Sequence, residues 1–177
     1  MNFFRMKPEG RKRWIKPERG PFGLAGFMGL GLILLVGLAL SAAAQAAGRE
    51  SFERASLVVE TLNGGRYTFA VEIARTPAQH AQGLMFREQM DSEAGMLFVN
   101  PEERPVAFWM KNTFIPLDML FIRADGRILT IHPMATPHST ESIASAGPVK
   151  AVLEINGGLA ARLGIRPGDR IRHPAFP

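Results

Sequence analysis

The chain has 177 residues, a formal net charge of +5 and no cysteine, which excludes disulfides, thiolate metal centres and a cysteine nucleophile. Residues 1–20 hold seven cations and two anions, and beyond them fourteen cations are balanced by fourteen anions. A neutral remainder without a basic stripe lacks the electrostatic footprint that a phosphate backbone requires, so no nucleic-acid partner is expected.

Directly after the basic start, FGLAGFMGLGLILLVGLAL (22–40) contains no charged or polar side chain and runs into SAAAQAAG (41–48). Basic start, apolar middle and small-residue end form the pattern of an export signal, with Ala44-Gln45-Ala46 as the cleavage motif. The apolar run is close to the ~20 residues that span a bilayer, so a retained inner-membrane anchor is the alternative. Both readings place the rest of the chain in the periplasm or outside the cell, with membrane contact limited to this segment. The expected organisation is a basic region plus signal or anchor over 1–46, a linker over 47–55, one β domain over 56–173 and a tail over 174–177. About 130 residues beyond the signal suffice for a single core.

Within that domain, residues 56–62 and 66–74 flank Asn63-Gly64-Gly65 and predict a hairpin. Thr76-Pro77-Ala78-Gln79 has the form of a capping box with proline at the first helical position, which predicts a helix to Gln82 that stops at Gly83. Further strands are predicted at 95–99, 105–111, 117–123 and 127–133, the last two joined through Asp125-Gly126. The 117–123 strand is apolar on both faces apart from Asp118 and Arg123, as expected inside a sandwich or barrel. Residues 134–150 are polar and aperiodic and read as a long surface loop or lid. A strand at 151–155, a short helix ended by Gly164 and a terminal strand complete the chain. The fold class is mainly β: a single antiparallel sandwich or barrel with two short helices.

GLMFRE (83–88), GMLFV (95–99), FWMKNTFIPLDMLFI (108–122), VLEINGG (152–158) and GIRPGD (164–169) occur in this order. They closely resemble the family called domain of unknown function 192, over about residues 56 to 173. The resemblance implies a compact, mostly β domain, often behind an export signal, with no established activity.

The polar residues of FWMKNTFIPLDM (108–119) are the leading site candidates. In an extended chain Trp109 and Lys111 share a face, and with Arg87, Asn112 and Thr113 they could floor a pocket for a small anionic or sugar-like ligand. Asp118 and Glu154 sit in apolar strands and read as a buried ion-pair or turn-capping network. The best functional reading is therefore a ligand-binding or accessory module. An envelope hydrolase or transferase using Asp118 or Glu154 as general base is one alternative; a factor presenting a sheet edge to an envelope protein is another. His80, His132, His138 and His173 show no ligand spacing, and the methionines read as core filler, so neither metal nor cofactor is expected.

Overall fold

The computed structural model describes residues 49–177; the segment expected to be an export signal or anchor, with its expected cleavage motif, lies outside the described residues. Strands β1 (Glu53–Glu60) and β2 (Arg66–Ala74) pair antiparallel from Glu53 opposite Ile73 to Glu60 opposite Arg66. Their turn needs a residue of positive φ, and Gly64 supplies it at 86°. Helix α1 (Pro77–Gln82) starts with the full capping box, Thr76 bonding the Gln79 amide while the Gln79 side chain returns to the Thr76 amide, and it stops at Gly83. Crossing over through α1, β3 (Ala94–Arg104) returns parallel to β2. This is the one parallel ladder among the described residues, and the crossover is what a parallel pair requires.

The remaining strands are β4 (Ala107–Phe108), β5 (Leu117–Ile122), β6 (Ile128–Ala135), β7 (Ile143–Ala144), β8 (Val149–Asn156) and β9 (Arg170–Arg172), with helix α2 (Leu159–Leu163) before β9. Seven strands form one sheet in the order β6-β5-β8-β3-β2-β1-β9. The sheet curls into a half-barrel, so that its two ends meet: Ile128 N–H donates to Asp169 O and Gly168 N–H to Ile128 O, both at 2.8 Å. The mainly β class with two short helices is thus present as the sequence predicts.

Because the central strands are covered on both sides, alternate residues feed two apolar layers. Leu97, Leu120, Leu153 and Ile155 enter the layer shared with α2, Ile171 and Phe176. Met96, Phe98, Met119, Phe121 and Val152 enter the other, under Leu84 and Met110. The second layer carries the site described below.

Two segments differ from their predicted form. The strand expected over 105–111 shrinks to β4, because the chain turns at Asn112 (φ 57°) and the Thr113 amide bonds back to Met110 O at 3.0 Å. Residues expected as a loop over 134–150 include β7, which pairs with β4 through Ala107 opposite Ala144 and Phe108 opposite Ile143. At the chain ends β1 already begins at Glu53, and Phe176 is buried in the first layer.

Asp118 lies fully buried on β5. Its Oδ1 accepts the Met134 and Gly158 amides at 2.9 and 2.8 Å, and its Oδ2 accepts the Ala160 amide at 2.9 Å. One carboxylate thereby ties β5 to the end of β6 and to the start of α2, with main-chain donors in place of a cation. Replacing an acceptor oxygen by an amide NH2 sets donor against donor, so Asp118→Asn should cost ~3 kcal/mol. The melting temperature should drop by roughly 10 °C. Calorimetry of the variant beside wild type checks this, and an equal or higher melting temperature would mean that the carboxylate is strained in the native fold.

Candidate functional site

The site grows from the three central strands. On β8, Glu154 lies opposite Met96 of β3 and Met119 of β5, which join the second layer, and alternation from Val152 puts Glu154 on the same face. That layer is roofed on one side by α1 and the segment after it, His80 to Met85, and on the other by Arg104 to Trp109 around β4. Between these walls opens a cleft of about 530 Å³. Thr140 and Ser142, from the segment before β7, close a further side, and Glu154 contributes the buried carboxyl.

Glu154 is 4% exposed. Burial alone pushes its pKa up to about 8, and neither a hydrogen bond nor a neighbouring charge offsets that burial. Among the described residues no sealed side-chain polar atom lacks a partner; the Glu154 oxygens, which have none from the protein, open onto the cleft. At neutral pH the group is therefore mostly a neutral carboxylic acid, both donor and acceptor.

His80 lies on α1, its ring edge-on to Phe98 at 5.5 Å and Nε2 3.1 Å from Ala74 O. A carbonyl only accepts, so Nε2 carries the hydrogen. Burial holds the imidazole pKa below its ordinary value, and the Arg104 charge pushes the same way. The Arg104 guanidinium is positioned by Asn100, whose Oδ1 accepts from Nε and Nη2 at 3.4 Å, while Asn100 itself donates to Val149 O at 3.1 Å. These neighbours of the cleft follow from β3 running on past residue 99 to Arg104. The sequence pattern hides this, because NPEER breaks the apolar run that marked the strand.

Of the residues singled out from the sequence, Trp109, Thr113 and Glu154 line the cleft. Trp109 is 54% exposed, and Lys111 Nζ stands 5.6 Å from its ring centroid. Lys111 and Asn112 stand on the turn beyond Trp109 and do not line the cleft; the Asn112 amide nitrogen lies 4.0 Å from Met85 Sδ. Arg87 is ion-paired with Glu72 outside the cleft. Asp118, committed to the α2 start, also lies outside it. Among the described residues no group of acidic, histidine or cysteine side chains could hold a metal ion.

The rim is fixed by main-chain bonds at unusual backbone angles. Phe86 (φ 63°), Asn112 (57°) and His138 (62°) all take the left-handed conformation. The Phe86 amide donates to Asn112 O at 2.8 Å, and the His138 amide donates to Thr113 O at 3.1 Å. Two segments are thereby pinned to one turn. Backbone strain of this kind persists only where surrounding bonds determine it, and it gathers at functional sites.

A curled mainly β domain with a ligand-sized cleft over its central strands is the class that fold and site define. The profile of the DUF192 family, described as "Uncharacterized ACR", matches residues 58–173, and the chain belongs to this family. A crystal structure from Sinorhizobium meliloti 1021, of a protein provisionally named a transcription regulator, is 48% identical, with a TM-score of 0.71 over 73% of this chain and 100% of that one. A protein of unknown function from Novosphingobium aromaticivorans DSM 12444 is 42% identical, with a TM-score of 0.65 over 72% of this chain and 96% of that one. No curated protein matches.

The Glu154 carboxyl has a direct consequence for stability. Its ordinary pKa is 4.5 and its folded value about 8, so between these pH values the unfolded chain releases a proton that the folded chain keeps. Stability must therefore fall as pH rises through this window, by up to about 1.4 kcal/mol per pH unit, and level off above it. Glu154→Gln removes the titration while keeping the shape. Urea unfolding at pH 5, 6.5 and 8 should show the variant gaining on wild type at each step, whereas parallel pH profiles would place the Glu154 pKa in the ordinary range.

Proposed function

We propose that this domain is an exported small-molecule-binding module whose ligand occupies the cleft over β3, β5 and β8, with Glu154 as its innermost hydrogen-bonding anchor. One observation carries the reading: a buried carboxyl that no protein group satisfies opens onto a ligand-sized cleft. Buried polar groups in native proteins have partners, and those that face a pocket instead are kept for what enters it. The apolar walls and few convergent polar groups are the composition of such sites. Pairing through the sheet edge is less favoured, since Pro133 removes a donor from β6 at the end of the order. The regulator name attached to the S. meliloti relative does not extend to nucleic-acid binding here, because cations and anions balance beyond residue 20.

A second reading, an envelope hydrolase or transferase with Glu154 as proton donor, is favoured by the raised pKa of a carboxyl in a concave site. Its mark would be turnover that declines as pH rises through about 8.

Ligand-observed NMR with a library of small polar metabolites tests the binding reading, using Ser142→Trp to fill the cleft from its solvent-exposed side. Ligands should bind wild type and be lost from Ser142→Trp at an unchanged melting temperature. Ligands that bind both proteins equally would place recognition elsewhere. Export has its own test in N-terminal sequencing of the cellular protein, for which a start near Ala47 is expected. Intact chain in the membrane fraction would indicate the retained anchor, and intact chain in the cytosol would contradict export.

A further inference from the structure

We propose that the cleft selects a sugar acid, a hydroxyl-bearing ring with a carboxylate, whose carboxylate meets Arg104 and whose ring lies against Trp109. This inference rests on the binding reading above and adds the chemical class of the ligand.

The charge of the cleft favours an anion. Of the twelve arginines among the described residues, Arg54, Arg66, Arg75, Arg87, Arg127 and Arg172 have a carboxylate partner and six have none; of those six, Arg104 is the one that lines the cleft. Lys111, beside Trp109 at the mouth, has none among the described residues either. The one carboxyl lining the cleft is Glu154, which is mostly protonated at neutral pH. The site is thus left with positive charge, which complements an anion.

Arg104 is also prepared for such a partner. Asn100, buried and fixed to Val149 O, accepts from its Nε and Nη2. A guanidinium has five N–H groups, so three remain for a ligand, and a planar fork held in place loses little freedom on pairing with a carboxylate.

The length of the cleft also bears on the ligand. Arg104 stands opposite Val149, and Met96 stands opposite Glu154. At ~3.3 Å per residue the two backbone stations on β8 are roughly 16 Å apart. A lone inorganic anion would meet the Arg104 end only, whereas a ring carrying a carboxylate extends from that end towards Glu154.

The lining between these ends describes the ring. Thr113, Thr140 and Ser142 supply hydroxyls, and with the neutral Glu154 carboxyl they both donate and accept, as sugar hydroxyls do. An aromatic acid could match neither these hydroxyls nor the buried Glu154 carboxyl with hydrogen-bonding groups around its ring, whereas a sugar carries such groups on every edge. Trp109 offers an indole, half exposed at the mouth, as the flat apolar surface for a sugar face.

The test titrates the purified full chain with D-glucuronate and D-galacturonate, and in parallel with D-glucose and D-galactose, following amide shifts by NMR. At least one uronate should bind roughly tenfold tighter than its neutral counterpart. Arg104→Gln should abolish that advantage without lowering the melting temperature, and Trp109→Ala should weaken acid and neutral sugar together. Equal binding of acid and neutral sugars, or a preference that survives Arg104→Gln, would overturn the inference. So would uronates that fail to bind at millimolar concentration while other ligands are displaced by Ser142→Trp; that result would leave the cleft as a binding site and remove only the sugar acid. Ligands indifferent to Ser142→Trp would instead remove the cleft reading itself.

Discussion

A carboxyl group placed in the middle of a strand that has neighbours on both sides has two stable outcomes: it is surrounded by donors, or it keeps its proton. This domain uses both outcomes on adjacent strands. Asp118 on β5 stands opposite Ile155, one residue from Glu154 on β8. Strand alternation then sends the two side chains to opposite layers. Asp118 reaches the α2 side, where three amides receive it. Glu154 reaches the α1 side, where no protein group does, and its pKa rises to about 8.

Much of the remaining architecture follows from these two positions. Because Asp118 organises the start of α2, the chain can return through Gly168 and Asp169 to bond the start of β6, and these bonds join the ends of the curled sheet. The layer beneath α2 is consequently filled and sealed. On the other face, α1 and the β4–β7 ribbon stand apart over the same strands and leave the cleft, with Glu154 held between two methionines. A soft, unbranched side chain on each flank fills space without offering a strong donor, so the carboxyl has every reason to stay protonated. The strained turn at Asn112, bonded to Phe86 and connected through Thr113 to His138, fixes the rim of the same cleft.

The strands and caps were legible in the sequence wherever local chemistry determined them. Asn63-Gly64-Gly65, the capping box at Thr76 and the two-sided strand from Leu117 all have local causes, and the structure places each accordingly. What local chemistry could not supply was which layer a side chain enters and who meets it there. Alternation alone suggested that Trp109 and Lys111 share a strand face, but the left-handed turn at Asn112 shortens that strand and carries Lys111 out of the cleft. Arg87 and Arg104 look equivalent in sequence; Glu72 pairs with the first, while the second forms no ion pair among the described residues and Glu103 beside it accepts from the Ala124 amide instead. Glu154 was visible as a charge in an apolar run, yet whether it pairs is a property of long-range packing between β3, β5, β8 and the α1 segment, which no short motif encodes.

The central claim is that Glu154 is a buried, protonated group facing a binding cleft. It is tested most directly by a carbon-13 NMR titration of the Glu154 side-chain carboxyl in the native protein, assigned by comparison with Glu154→Gln. The account predicts a midpoint near 8, with cleft resonances from Thr113 and Trp109 shifting together with it. A midpoint near the ordinary 4.5 would show that the carboxylate is solvated or paired in the fold, and the cleft would lose the anchor on which this account depends.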